Sequence, residues 1–122
     1  MAMPVLSLSS ELPLVVHRAR SFLGRLGGLL TRSELRKGEG LYLAPCASVH
    51  TLFMVYDIDV VFLDRGGRVL HVVHGLGPWR AASCRGAYAA LELRAGQARR
   101  YGVVRGISLS TVVGWDSEEG IA

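Results

Sequence analysis

A chain of 122 residues, half of them hydrophobic, is long enough for one domain with one core and too short for two ordinary ones. Aromatics are only 7% of it, so the core is expected to be mostly Val and Leu, and the β-branched share favours strands. The net charge is +4, carried by scattered arginines without interleaved aromatics, which argues for a solvated surface and against a dedicated nucleic-acid binder.

Residues 1–11 lack periodicity and read as a flexible N-terminal arm. Leu12 to Arg18 alternates loosely and reads as a first strand. Ser21 is placed to cap a short helix at residues 22–26, with Phe22, Leu26, Leu29 and Leu30 on one face, and Gly27 and Gly28 end it. Gly38 and Gly40 mark a turn into a strand around Leu41 to Leu43, which Pro45 stops. Val49 to Phe53 can be extended again, and the chain bends at Val55, Tyr56 and Asp57.

Ile58 to Leu63 is the strongest strand signal. Ile58, Val60 and Phe62 fall on one face, and Asp59, Val61 and Leu63 on the other. Asp59 thus shares a face with large aliphatics, where a carboxylate is costly unless it finds a partner; the sequence offers His50 or Arg80. Asp64-Arg65-Gly66-Gly67-Arg68 is a hairpin signal. Val69 to Val73 then returns with Val69, His71 and Val73 on one face. Gly75, Gly77 and Pro78 open a loop carrying Trp79 and Arg80. Tyr88 to Arg94 reads as another strand, Ala95-Gly96 leads into a helix at residues 97–101 closed by Gly102, and Ile107 to Val113 is a last strand.

The expected fold is therefore β-rich α+β: an antiparallel sheet curled into a small barrel or sandwich with one or two short helices. Residues 12–113 form the single domain, and residues 114–122 form an acidic C-terminal tail with Asp116, Glu118 and Glu119. No stretch approaches the roughly 18 apolar residues of a membrane span, so no membrane insertion is expected. The N-terminus has no basic start of the secretory kind, and a cytoplasmic location with Cys46 and Cys84 as free thiols is the default.

No phosphate-binding glycine loop, zinc-type cysteine pair, paired-histidine helix or serine elbow is present. Cys46 and His50 could form a thiolate–imidazole pair oriented by Asp59. The spacing is not diagnostic beside Pro45, and a core thiol is the more common role for such a cysteine. His50, Asp59, His71 and His74 could alternatively supply metal ligands. Nothing in the spacing fixes them on one site, and no metal or cofactor is assigned. Trp79-Arg80 in a loop could grip a ligand; equally, Trp79 could cap the barrel while Arg80 pairs with Asp59.

These residues also carry a resemblance. Arg25-x-x-Gly28-Leu29-Leu30-x-Arg32, Glu39-Gly40-Leu41, Val49-His50-Thr51-x-x-Met54, Ile58-Asp59-Val60-Val61-Phe62-Leu63-Asp64 and Leu91-Glu92-Leu93-x-Ala95-Gly96, followed by Gly102, resemble the family known as domain of unknown function 192. The resemblance spans roughly residues 14 to 110 and implies a compact β-rich α+β domain with no established reaction. Val55-Tyr56-Asp57 replaces the family's usual basic, proline-containing bend. Arg105-Gly106-Ile107-Ser108 lacks the usual Gly-Asp, so no role for that aspartate carries over.

The reading is a small non-catalytic binding or accessory module, a monomer, whose protein partner or small ligand meets His50, Thr51, Asp59, Trp79 and Arg80. The resemblance links such modules to bacterial envelope or pilus systems. The alternative is a small hydrolase or metal-dependent enzyme using His50, Asp59 and Cys46.

Overall fold

The computed structural model describes residues 5–7, 13–18, 35–51 and 54–109. Eight strands and one helical turn occur among them: β1 (Val5–Ser7), β2 (Pro13–Arg18), β3 (Glu39–Leu43), β4 (Ser48–His50), β5 (Ile58–Leu63), β6 (Val69–Leu76), β7 (Ala81–Ser83), β8 (Ala89–Arg94) and α1 (Gln97–Arg100). Six strands form one sheet in the order β1-β2-β3-β8-β5-β6, and β4 and β7 form a separate two-stranded ribbon.

β5 is the fifth of the six strands across the large sheet, antiparallel to both of its neighbours, β6 and β8. All six of its residues are buried, which is why the sequence there is apolar on both faces rather than alternating with polar positions. Its alternation sorts the core into two clusters. Ile58, Val60 and Phe62 pack with Leu43, Val49, Met54 and Ala90 beneath the β4–β7 ribbon. Val61 and Leu63 pack with Leu14, Val16, Leu91, Leu93, Ala98 and Tyr101 on the side where α1 sits. Each such side chain, fully buried, contributes about 1.5–3 kcal/mol, so this strand is the energetic centre of the fold.

The expected β-rich α+β fold is present, with three differences. β1 and β6, the outer strands of the large sheet, do not pair among the described residues, so the sheet is open and the expected barrel closure is not seen. The sheet is also not wholly antiparallel, because β2 runs parallel to β3. Finally, Val5–Ser7, within the segment expected to be a free arm, pairs with β2. The expected helix at residues 22–26 and the acidic tail lie outside the described residues.

The β5–β6 hairpin closes as its sequence dictates. Asp64 Oδ1 accepts hydrogen bonds from the amides of Gly66 at 2.8 Å and Arg68 at 2.9 Å, and Gly67 takes a φ of 88° that only glycine adopts without strain. β6 then departs from expectation. Leu63 faces Val69 while Phe62 faces His71, so Leu70 is an extra residue and Val69 and His71 no longer share a face. A second bulge follows: Val60 faces Val73, but Ile58 faces Leu76, so β6 advances three residues while β5 advances two. Gly75, expected to open a loop, lies inside the strand at a φ of 63°. The expected strand from Ile107 is reduced, among the described residues, to a single bridge between Ser108 and Arg68.

Candidate functional site

Asp59 is fully buried on β5, as its place among aliphatics requires, and its partners are backbone amides. Oδ1 accepts from Gly75 N at 2.9 Å; Oδ2 accepts from Gly96 N and Ala98 N, both at 3.0 Å. This corrects the expectation of a pairing with His50 or Arg80. The second bulge of β6 presents the Gly75 amide to Asp59. The other two amides belong to the start of α1, whose N-cap is Gly96 and has no side-chain cap of its own. Asp59 supplies the missing cap from the strand below, where a negative charge also meets the favourable end of the helix dipole. The carboxylate thus ties β5, β6 and α1 together at one point.

A second tie is built on Thr51, also fully buried, just past the end of β4. Its Oγ1 donates to Gly77 O at 2.6 Å and accepts from Arg80 N at 2.9 Å. Its backbone adds Thr51 N to Arg80 O at 2.8 Å and Trp79 N to Thr51 O at 3.0 Å. The turn from β6 to β7 is therefore held at residues 77, 79 and 80 by one residue. At its apex Trp79 adopts a φ of 61°, rare for a bulky residue, and is 61% exposed. Trp79 does not cap a barrel. Arg80 beside it is exposed, and its side chain makes no ion pair with Asp59 among the described residues.

His50 lies opposite Ala81 in the ribbon and faces solvent, because Val49 takes the buried position of that three-residue strand. It is not the core contact expected for it. Cys46 is half-buried and its Sγ donates to Ser48 O at 3.2 Å. No hydrogen bond joins His50 to Cys46 or Asp59 among the described residues, so the proposed thiolate–imidazole–carboxylate line is not assembled. His71 and His74 are exposed on β6. Among the described residues no three of His, Cys, Asp and Glu gather in a group able to hold a metal ion.

The structure therefore divides the predicted residues into two sets. Thr51, Trp79, Arg80 and His50 meet at the junction of the ribbon and its turn; Asp59 lies elsewhere, as an internal brace. Gly75, Gly96 and Ala98 were not foreseen as its partners, since a backbone amide leaves no trace in residue chemistry.

A family model described as an uncharacterized ACR, DUF192, matches residues 5–111. The chain belongs to the DUF192 family. Two solved structures share its fold. A protein of unknown function from Novosphingobium aromaticivorans aligns with a TM-score of 0.74 at 24% identity, covering 88% of this chain and 83% of its own. A Sinorhizobium meliloti protein described as a "putative transcription regulator" aligns with a TM-score of 0.76 at 20% identity, covering 89% and 92%. At these identities the likeness to this DUF192 chain is one of fold. No curated protein matches it. No helix among its described residues is long and apolar enough to cross a membrane.

Proposed function

We propose that this DUF192 protein is a small non-catalytic binding module whose recognition surface is the Thr51-held turn bearing Trp79 and Arg80, with His50 alongside. The observation that carries the reading is Trp79. A large aromatic that is 61% exposed and held at a positive φ costs on the order of 1–3 kcal/mol in backbone strain, which the hydrogen bonds of Thr51 sustain. An exposed, strained and pinned aromatic beside a guanidinium is the arrangement used to grip a partner. Arg80 suits a carboxylate, so the partner chemistry that fits is an acidic group next to an apolar one. The setting proposed with it is a cytoplasmic monomer, and a link to a bacterial envelope or pilus system is what the family resemblance suggests.

The surface is tested by separating its role from stability. Trp79→Gly removes the side chain and relieves the positive φ, so its urea midpoint should equal or exceed that of wild type. A loss of 3 kcal/mol or so would make Trp79 part of the core and defeat the reading. Short peptides pairing an acidic with an apolar residue should shift the Trp79 indole and Arg80 signals in nitrogen–proton spectra. Ligands that shift Cys46 and Asp59 instead would favour the enzyme alternative built on His50, Asp59 and Cys46.

The transcription description attached to the Sinorhizobium protein invites a nucleic-acid reading, which two arginines weaken. Arg65 stacks 4.3 Å over the Tyr88 ring, and Arg68 Nη1 donates to Gly106 O at 2.8 Å, so both serve the fold. Binding to a defined oligonucleotide is expected to be weak, to vanish at physiological salt and to ignore single base changes. Salt-resistant, base-selective binding in a fluorescence-anisotropy titration would contradict this.

A further inference from the structure

Arg36, Lys37, Arg99 and Arg100 come from two distant stretches of the sequence, and the fold gathers them. Gly38 N donates to Gln97 Oε1 at 3.2 Å, and a Cβ on Gly38 would stand 3.9 Å from the Tyr101 hydroxyl, so the turn of residues 36–39 lies against α1. All four cations are exposed, and none makes an ion pair among the described residues. Glu39, in the same turn, accepts from Arg36 N at 3.1 Å through Oε1. Four positive charges thus surround one negative charge on a single platform.

Strand register sets this platform on the same edge of the large sheet as the Trp79 turn. Gly40, near the start of β3, faces Leu93 near the end of β8. Arg94, the last residue of β8, faces Ile58 at the start of β5, and Ile58 faces Leu76 at the end of β6. Residues 77–80 follow directly. Three strand spacings of about 4.8 Å separate β6 from β3, and the step from Leu76 to Trp79 adds at most about 10 Å, so platform and Trp79 stand roughly 15–25 Å apart. Between them the edge is not basic. Val55, 87% exposed, and the exposed Asp57 precede β5, and Asp57 Oδ1 lies 3.6 Å from where a Cβ on Gly77 would stand. A phosphate chain or an anionic bilayer would press negative charge onto that carboxylate, whereas a peptide can pass a neutral residue over it.

We propose that the platform is a second anchor of the recognition surface, and that the partner is an extended peptide segment with its acids clustered at one end. An apolar residue beside an acid meets Trp79 and Arg80, a neutral stretch passes Val55 and Asp57, and the acidic cluster meets Arg36, Lys37, Arg99 and Arg100. The inference rests on the Trp79 reading and gives its partner a length. At about 3.3 Å per extended residue, the two anchored parts of the peptide lie roughly five to eight residues apart.

A fluorescein-labelled peptide with a Leu-Glu pair, about six neutral residues and a run of glutamates is titrated by anisotropy against the full chain at low salt. A control peptide carries glutamine in place of that distal run. The acidic peptide should bind at least about tenfold more tightly than the control. Arg99→Glu with Arg100→Glu should remove that advantage, and Trp79→Gly should weaken both peptides. Arg36→Gln with Lys37→Gln reads the same anchor should the helix variant unfold. Equal binding of the two peptides, both still weakened by Trp79→Gly, would overturn the platform and leave the Trp79 reading standing. Binding that needs the platform but ignores Trp79→Gly would overturn the two-anchor surface together with that reading, and binding of neither peptide would sink both. Sedimentation of wild type with phosphatidylglycerol vesicles at physiological salt, lost in the Arg99→Glu, Arg100→Glu protein, would give the platform to a lipid surface and overturn the peptide.

Discussion

Asp59→Ala should be the most destabilising substitution among the buried polar residues described, costing on the order of 3–5 kcal/mol. The loss is larger than that of one hydrogen bond because the carboxylate serves three donors on two other elements. Ala98 N is buried and would be left without an acceptor, whereas water can reach the exposed Gly75 and Gly96 and recover part of their loss. A small domain has typically only about 5–15 kcal/mol of stability, so the variant should melt far earlier or fail to accumulate. Asp59→Asn grades the effect. Its single carbonyl can serve Gly96 N and Ala98 N, but its amide then opposes Gly75 N, so the cost should fall to about 1–3 kcal/mol. Urea unfolding of the three proteins checks the order wild type, Asn, Ala.

Thr51→Val should combine a moderate loss of stability with a large loss of recognition. Valine fills nearly the same space but removes the hydroxyl, leaving Gly77 O and Arg80 N without their buried partner, at a cost of about 1–3 kcal/mol. The strain at Trp79 is then less well opposed, and the turn should relax toward a negative φ at that residue. Any peptide ligand found through the Trp79 indole should bind at least tenfold more weakly, since its contact residues are no longer preset. Thr51→Ser keeps the oxygen and should retain binding, losing only about 1 kcal/mol for the buried methyl. A Thr51→Val protein that binds as tightly as wild type would detach the turn from the recognition surface.

Much of the scaffold was legible because local chemistry dictated it. The alternation of Ile58 to Leu63 gave the right faces, and Asp64 with its glycines closed the expected hairpin. The helix after Gly96 appeared where its turn residues placed it. That Asp59 needs a buried partner followed from its neighbours. The partner's identity did not, because the donors lie 16, 37 and 39 residues away and are amides that any residue type carries. The misplacement of His50 has a similar origin: in a three-residue strand one buried position, filled by Val49, is enough to dock the ribbon, and its neighbours turn outward. The bulges of β6 were hidden because Leu70 and Gly75 each fit a regular strand or a loop equally well until a partner strand fixes the register. Trp79 and Arg80 stand together in the loop expected for them, but their geometry rests on Thr51, more than 25 residues earlier in the chain.

The claim on which the account depends is that the polar centre at Asp59 braces the fold and performs no chemistry. Thermal melting of wild type and Asp59→Ala, each with and without added zinc or manganese, tests it most directly. The account predicts a much lower melting temperature for Asp59→Ala, and no metal-induced shift in either protein. An unchanged or higher melting temperature for Asp59→Ala, with a metal-induced rise in wild type that the variant loses, would contradict it and make Asp59 a ligand in a strained functional site.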